Sequence, residues 1–326
     1  MGCSASSFTY QTHAAVLDDS ENILNMLDPN IKTEQQALAK AQASIQEGKF
    51  DNALFYYLKT LQFNPKNTEV LEQIALIHEQ GKHPELAIKV YHDILKLDPK
   101  NAQANEKLGL FYLNKGQDGV AKAHFTQAVR ADSERWKSHN GLGVIADLER
   151  NTDEAINHYQ AALTLSPSNP LLLNNLGYSY YLKGDEATAK HYFNQALNFD
   201  TRYKRAIHNL ALIEIKHNHF TAATVLFNRI MSVHETFNNI GYVAMLNGQY
   251  NAAEDYLNRA IEESPVYFPK AQENLKKLLT LKGAAPSYQP SSEQARQLEP
   301  TPAMAPEKSS TSVESPHATE KKHPNR

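Results

Sequence analysis

The sequence predicts an all-α fold, a solenoid of about seven helix–turn–helix repeats followed by a C-terminal capping helix. The first observation behind this prediction is an alanine that recurs at one phase, with the first six copies 34 residues apart and a last interval of 30. These alanines are Ala53, Ala87, Ala121, Ala155, Ala189, Ala223 and Ala253. A fixed period of this length indicates stacked structural units that share one continuous core.

The second observation is that two further positions repeat in phase with the alanines. A small residue lies on the first helix of each unit, and a bulky residue follows each alanine by four positions. The small residues are Ala41, Ala75, Gly109, Gly143, Gly177, Ala211 and Gly241, and the bulky ones are Tyr57, Tyr91, Phe125, Tyr159, Phe193, Phe227 and Leu257. Small residues are needed where two helix backbones cross closely, and bulky residues fill the space beside the crossing. The predicted units are 34–67, 68–101, 102–135, 136–169, 170–203, 204–233 and 234–267.

The third observation is the chemistry of the turns. Between the two helices of most units lies a residue that tolerates the left-handed conformation, and a proline stops the second helix in four units. The turn residues are Gly48, Gly116, Gly184, Asn218 and Gly248, and the prolines are Pro65, Pro99, Pro167 and Pro265. The sixth unit is four residues short, so its second helix should lose a turn. Residues 269–282 should form the capping helix, with Leu275, Leu278 and Leu279 on its apolar side.

Both ends of the chain differ from the repeats and complete the predicted domain organisation. Residues 1–33 are interpreted as an N-terminal anchor and flexible spacer, 34–267 as the seven units and 268–283 as the capping helix. Residues 284–326 are rich in proline and serine and have almost no aliphatic side chains. Such a segment cannot bury enough apolar surface to offset the entropy lost on ordering, so we expect a disordered tail.

Composition excludes several classes of function. A net charge of −3 and a pI near 6.5 argue against an electrostatic nucleic-acid binder. No catalytic motif of a hydrolase, P-loop enzyme or zinc protease occurs, so we expect no enzyme and no cofactor. The closest histidine pair, His217 and His219, has no evident carboxylate or thiol partner, and we therefore expect no metal site.

The single cysteine, Cys3, is a candidate lipidation site. Gly2-Cys3 followed by small residues resembles the end of a bacterial lipobox, which requires a hydrophobic signal segment ahead of it. The first six residues also match the M-G-x-x-x-S pattern of N-myristoylation, with Cys3 open to palmitoylation. Both interpretations place acyl chains at the N-terminus and anchor the chain to a membrane. An unmodified cysteine is the third interpretation.

The 34-residue period and its small and bulky positions resemble the tetratricopeptide repeat. The resemblance implies a right-handed superhelix whose first-helix positions 2, 5, 9 and 12 line a concave groove. In units five to seven these positions are apolar or aromatic with interleaved polar residues, which suits a bound protein or peptide segment. The predicted groove residues are Leu171, Asn174, Tyr178, Tyr181, Arg205, His208, Leu212, Ile215, Asn238, Tyr242 and Met245. Tyr178 and Tyr181 are expected to be exposed, and Asn174, Arg205, His208 and Asn238 to bond a peptide backbone. The alternative for Leu212 and Ile215 is that neighbouring repeats or the capping helix cover them.

One subclass of these repeats does not fit. Co-chaperone domains that grip a C-terminal carboxylate use Lys at position 5 and Asn at position 9, whereas position 9 here holds Gln, Leu, Val or Tyr.

Residues 170–282 carry a narrower resemblance. The runs NNLGYSYYLKGDEATAKHYFNQAL and NNIGYVAMLNGQY, the shortened unit between them and AIEESPVYFPKAQENLKKL resemble TadD, a lipoprotein family of the tight-adherence (Flp pilus) system. The family implies a pilotin for the secretin subunit, lipid-anchored through Cys3 at the periplasmic face of the bacterial outer membrane. The alternatives are a cytosolic adaptor or co-chaperone-like scaffold without a membrane role, and the regulatory repeat array of an enzyme. The last is nearly excluded because nothing after residue 283 could form a catalytic domain.

Overall fold

The computed structural model describes residues 31–283, which form fifteen helices and no strand within that range. Cys3, most of the predicted spacer and the whole Pro/Ser-rich tail lie outside the described residues. The helices are α1 (Glu34–Gln46), α2 (Phe50–Phe63), α3 (Thr68–Gln80), α4 (Pro84–Leu97), α5 (Ala102–Asn114), α6 (Asp118–Ala131), α7 (Trp136–Leu148), α8 (Thr152–Leu165), α9 (Pro170–Leu182), α10 (Glu186–Phe199), α11 (Lys204–Lys216), α12 (Phe220–Phe227), α13 (Val233–Leu246), α14 (Tyr250–Glu262) and α15 (Pro269–Gly283).

The helices pack as seven consecutive pairs with α15 on the last pair, which confirms the predicted all-α repeat fold. Each helix contacts the next one along the chain. From α5 onwards the first helices of successive pairs also contact each other, α5 with α7, α7 with α9, α9 with α11 and α11 with α13. From α5 to α13 the first helices therefore form one continuous layer.

The small residues at the helix crossings have the predicted steric role. All seven recurring alanines are at most 1% exposed. A Cβ atom built on Gly109 would lie 2.6 Å from Cδ1 of Phe125, and one on Gly143 would lie 2.6 Å from Cε1 of Tyr159. The bulky residue of each of these repeats thus occupies the space that a side chain on the facing helix would need.

The turns between paired helices follow the predicted backbone geometry. Gly48, Gly116, Gly184, Asn218 and Gly248 all have positive φ, between 63° and 87°. Two residues that the sequence did not single out also adopt it, Lys82 with φ of 60° and Arg150 with φ of 63°. These two lie at the equivalent turns of repeats two and four, so the packing of the helix pairs fixes the backbone there without the help of glycine.

The sixth repeat is shortened in its second helix, as predicted. Helix α12 has 8 residues, whereas the other second helices have 13 or 14. The chain then turns, and Ser232 caps the N-terminus of α13 with a capping box. The Ser232 side chain accepts a hydrogen bond from the backbone N–H of Glu235, and the Glu235 side chain accepts one from the backbone N–H of Ser232. The hydrophobic core stays continuous across this junction, from Leu173 to Leu278.

The capping helix corrects one detail of the prediction. Ala271, Asn274 and Leu278 form the buried face of α15, while Leu279 is 50% exposed. Positions 271, 274 and 278 follow the spacing of one helix face, and Leu279 is rotated about 100° from Leu278.

Candidate functional site

The candidate site is the face formed by the first helices of repeats five to seven, α9, α11 and α13. The structure divides the eleven predicted groove residues into two sets. Six are buried: Asn174, Tyr178, Leu212, Ile215, Asn238 and Met245. Five are partly exposed: Leu171, Tyr181, Arg205, His208 and Tyr242. Only the second set can contact another molecule without rearrangement.

The expectation that Tyr178 is exposed is wrong, since this side chain is only 7% exposed. Its phenol lies near enough to that of Tyr159 to affect the Tyr159 pKa. Leu212, Ile215 and Met245 belong to the core cluster of repeats five to seven. Successive first helices contact each other, so many side chains on this layer face the neighbouring repeat instead of solvent.

The expectation that Asn174 and Asn238 bond a peptide backbone is also corrected. Nδ2 of Asn209 donates to Oδ1 of Asn174 at 2.9 Å, and Nδ2 of Asn274 donates to Oδ1 of Asn238 at 3.0 Å. Both asparagines are at most 2% exposed. Asn174 joins repeat five to repeat six, and Asn238 joins repeat seven to the capping helix, so both amide oxygens already have a partner within the fold.

The contact between Asn209 and Asn174 is part of an asparagine ladder, defined as Asn140, Asn175, Asn174 and Asn209, which was not foreseen from the sequence. Asn175 donates to Oδ1 of Asn140 at 2.8 Å, and Asn174 donates to Oδ1 of Asn175 at 3.3 Å. The available signal was the recurrence of asparagine at a spacing of 35 residues on the first helices. Because buried amides need partners, the ladder fixes the register between repeats four, five and six.

The exposed part of the site combines apolar, aromatic and basic groups. The Lys216 ammonium lies 5.8 Å from the centre of the Tyr181 ring, which links repeats six and five. Glu273 raises the pKa of Lys277 on the capping helix, and the nearby Tyr242 adds to this effect. His208 lies against the Phe227 ring at 5.6 Å, and burial lowers the pKa of this imidazole. A segment placed here would meet tyrosine rings and cationic side chains together.

His217 and His219 lie in the turn after α11, and each has a carboxylate partner that the sequence did not reveal. His217 Nε2 is 2.6 Å from Glu186, and His219 Nδ1 is 2.8 Å from Glu214. Lys216 and Lys190 bind the same two carboxylates. Within residues 31–283 no group of three His, Cys, Asp or Glu side chains is placed to hold a metal ion. No helix in that range is both long and apolar enough to cross a membrane.

The chain matches family models that describe the tetratricopeptide repeat. One such model matches residues 37–67, 102–135, 171–203 and 234–267, and a related TPR model matches 151–184. Both models describe the repeat and not a catalytic domain. The four segments of the first model coincide with helical pairs of the structure, and 151–184 covers α8 and α9 of two neighbouring pairs.

Two curated proteins are similar in sequence. A TPR repeat-containing protein of Methanocaldococcus jannaschii is 24% identical over 298 residues, covering 82% of this chain and 51% of the relative. The anaphase-promoting complex subunit cut9 of Schizosaccharomyces pombe is 22% identical over 262 residues, covering 77% of this chain and 39% of the relative. The chain therefore spans about half or less of the length of these curated relatives.

Among solved structures, a tetratricopeptide repeat protein from Parabacteroides merdae superposes with a TM-score of 0.53 at 14% identity. The match covers 76% of this chain and 98% of the other, and it supports the fold. Repeats of this class act as scaffolds for protein–protein interaction. From the family matches, the helical pairs and the residues at their crossings, we conclude that the chain is a tetratricopeptide-repeat protein.

Proposed function

We propose that this chain is a non-enzymatic scaffold that binds a protein segment along repeats five to seven. The observation that carries the proposal is the partial exposure of Leu171 and Tyr181 on α9 and of Tyr242 on α13. Tyrosine is a frequent interface anchor because its ring contributes apolar area and its hydroxyl can bond a polar partner. Lys216 lies beside Tyr181 and pairs with Glu186, so this ion pair offers an ammonium donor and a carboxylate acceptor to polar groups of the segment.

We further propose that the partner is the secretin of a tight-adherence (Flp) pilus machine, for which the chain acts as pilotin. The resemblance to the TadD family supports this part. The Asn-Asn pairs at 174 and 238 are explained by contacts between repeats, so they argue for the fold more than for the family. More specific are the shortened α12 and the segment that enters the capping helix, where Val266 and Tyr267 are 72% and 76% exposed.

The groove is tested by the double variant Tyr181→Ala/Tyr242→Ala and the capture of a purified secretin subunit. Truncation of an interface anchor typically costs about 2 kcal/mol, so we expect affinity to fall by roughly 30-fold or more. Val225→Ala is the matched control, since Val225 is 64% exposed on a second helix. Both variants should keep the helicity of the wild type, and the double variant should melt somewhat lower because both tyrosines pack partly against the core. Unchanged affinity of a folded double variant would exclude the groove.

The membrane part of the proposal is an anchor at Cys3 in the periplasmic leaflet of the outer membrane. The test is expression of the gene with its upstream region in the native host, followed by membrane fractionation and mass spectrometry of the N-terminal peptide. We expect an acylated Cys3, and a Cys3→Ser variant that leaves the outer-membrane fraction. A wild-type chain found without acyl groups in the cytosol would favour the alternative, an adaptor without a membrane role.

A further inference from the structure

Asp147 is an acidic side chain in the interior of the solenoid, at the junction of repeats four and five. It lies near the end of α7 and is 4% exposed. The Tyr159 hydroxyl donates to its Oδ2 at 3.1 Å. Ser179 Oγ on α9 lies 3.0 Å from Oδ1 and 2.9 Å from Oδ2. The carboxyl group thus joins the two helices of repeat four to the first helix of repeat five.

All of these partners are neutral. Ser179 has one hydroxyl proton, so it can donate to only one oxygen of Asp147 at a time. Ser179 Oγ also lies 3.4 Å from the Asn175 carbonyl oxygen. If Asp147 is protonated, it can donate to Ser179, and Ser179 can donate to that carbonyl. A protonated Asp147 therefore fits the observed contacts with every hydroxyl proton used.

Repeat two shows how the same position accommodates a charged carboxylate. Glu79 lies at the equivalent place in repeat two, and it accepts from the Tyr91 hydroxyl at 3.0 Å. Unlike Asp147, it also binds the Lys107 ammonium at 2.6 Å, and its side chain is 33% exposed. The cation and the solvent that stabilise the Glu79 charge have no counterpart at Asp147.

The charged groups on the elements packed against α7 have other partners. On α5, Glu106 lies near Arg135, and Lys107 binds Glu79. On α6, Lys122 binds Glu149. Beside α8 and α9, His158 lies near Glu154, and Lys183 binds Asp153. The titratable group in contact with Asp147 is the phenol of Tyr159, and burial raises the pKa of this phenol above its ordinary value. The side-chain contacts of the Asp147 carboxyl are with the neutral hydroxyls of Tyr159 and Ser179.

We propose that Asp147 makes the junction between repeats four and five a pH-sensitive joint, closed when its carboxyl is protonated and weakened when it ionises. Ionisation would place an uncompensated negative charge in the interior, which is unfavourable unless the groups around it rearrange or admit water. Helix α9 also carries Leu171 and Tyr181, so the joint controls how the first helix of the candidate site is held on repeat four.

The direction of the effect follows from proton linkage. Burial raises the pKa of the Asp147 carboxyl from its ordinary 3.8 to about 7 in the folded chain. Between these two values the folded chain keeps a proton that the unfolded chain has released. The contribution of Asp147 to stability is therefore full at pH values below about 4 and is lost as the pH rises through about 7.

The experiment compares the melting temperatures of the full chain and its Asp147→Asn variant from pH 5 to pH 8. Asparagine is neutral at every pH, so we expect the variant to melt a few degrees above the wild type at pH 8. The difference should shrink or reverse at pH 5. A difference that is the same at both pH values would overturn the proposal.

Glu79→Gln is the matched control. This change removes an ion pair with Lys107, so it should not raise the melting temperature at pH 8. A direct readout covers the case in which Asp147→Asn fails to fold. The ¹³C carboxyl resonances of an aspartate-labelled wild-type chain should include one that titrates near pH 7. If every aspartate of the folded chain titrates near pH 4, the proposal is wrong.

Discussion

A Cβ atom on Gly141 would lie 2.4 Å from Cε2 of Phe125, a bulky residue of the preceding repeat. Phe125 also covers Gly109 of its own repeat, so its ring lies between two glycines. We predict that Gly141→Ala destabilises the chain by about 1–3 kcal/mol, because the fully buried ring cannot move aside. Urea denaturation followed by far-UV circular dichroism measures the change.

The control for this prediction is Gly119→Ala in helix α6. A Cβ atom there meets nothing within 4 Å, and the backbone does not have positive φ. Alanine is a better helix former than glycine, so this variant should be neutral or more stable. Equal losses in the two variants would show that the effect at Gly141 is not steric.

The positive φ of Lys82 leads to the second prediction. A residue with a Cβ atom pays a conformational penalty of about 1–2 kcal/mol in the left-handed region, and glycine does not. We therefore expect Lys82→Gly to raise the free energy of unfolding by up to about 1 kcal/mol. Gly116→Ala should do the opposite at the equivalent turn, where a Cβ atom has free space but φ is 70°. If Lys82→Gly lowers the melting temperature, the turn does not carry this strain.

The contrast between these positions shows why the fold could be predicted from the sequence. The crossing of two helices imposes the same steric limit in every repeat. A small residue such as Gly109 and a bulky residue such as Phe125 therefore recur in each unit, and the sequence shows them as a pattern. The positive φ of Lys82 and Arg150 could not be predicted in this way, because the two flanking helices fix the backbone there and neither residue type indicates a left-handed conformation.

The candidate site was less predictable for a related reason. Tyr178 and Tyr181 are the same residue type three positions apart, yet one is buried and the other partly exposed. Their difference depends on how closely successive first helices approach, which is set by the stacking of whole repeats and not by local pattern. The role of Asp147 likewise depends on Ser179, a residue 32 positions away.

The asparagine ladder gives the third prediction. Removal of Asn175 by Asn175→Ala leaves the buried Asn140 without the donor that now lies 2.8 Å from its Oδ1. An unsatisfied buried polar group costs about 1–3 kcal/mol, and we expect a loss of this size. In the double variant Asn140→Ala/Asn175→Ala the orphaned amide is gone, so the loss should be smaller than the sum of the two single losses. Additive losses in this double-mutant cycle would contradict a direct interaction.

The fourth prediction concerns a pair of histidines on repeats two and three. His92 Nε2 lies 3.0 Å from the Tyr112 hydroxyl, and the Tyr112 ring stacks on His124 at 5.6 Å. Nδ1 of His124 lies 3.0 Å from Oδ1 of Asn105, so this nitrogen carries the proton in the neutral ring. Burial lowers the pKa of both imidazoles, and His92 lowers the pKa of His124 further.

Because the folded chain favours neutral imidazoles here, the unfolded chain takes up protons first as the pH falls below about 6.5. The stability contributed by the pair should be present above that value and be lost progressively below it. We expect the melting temperature of His124→Gln to depend less on pH between 7.5 and 5 than that of the wild type. His191→Gln, at an exposed ring on α10, should keep the wild-type dependence. The pair has no such role if His124→Gln and His191→Gln show the same dependence on pH.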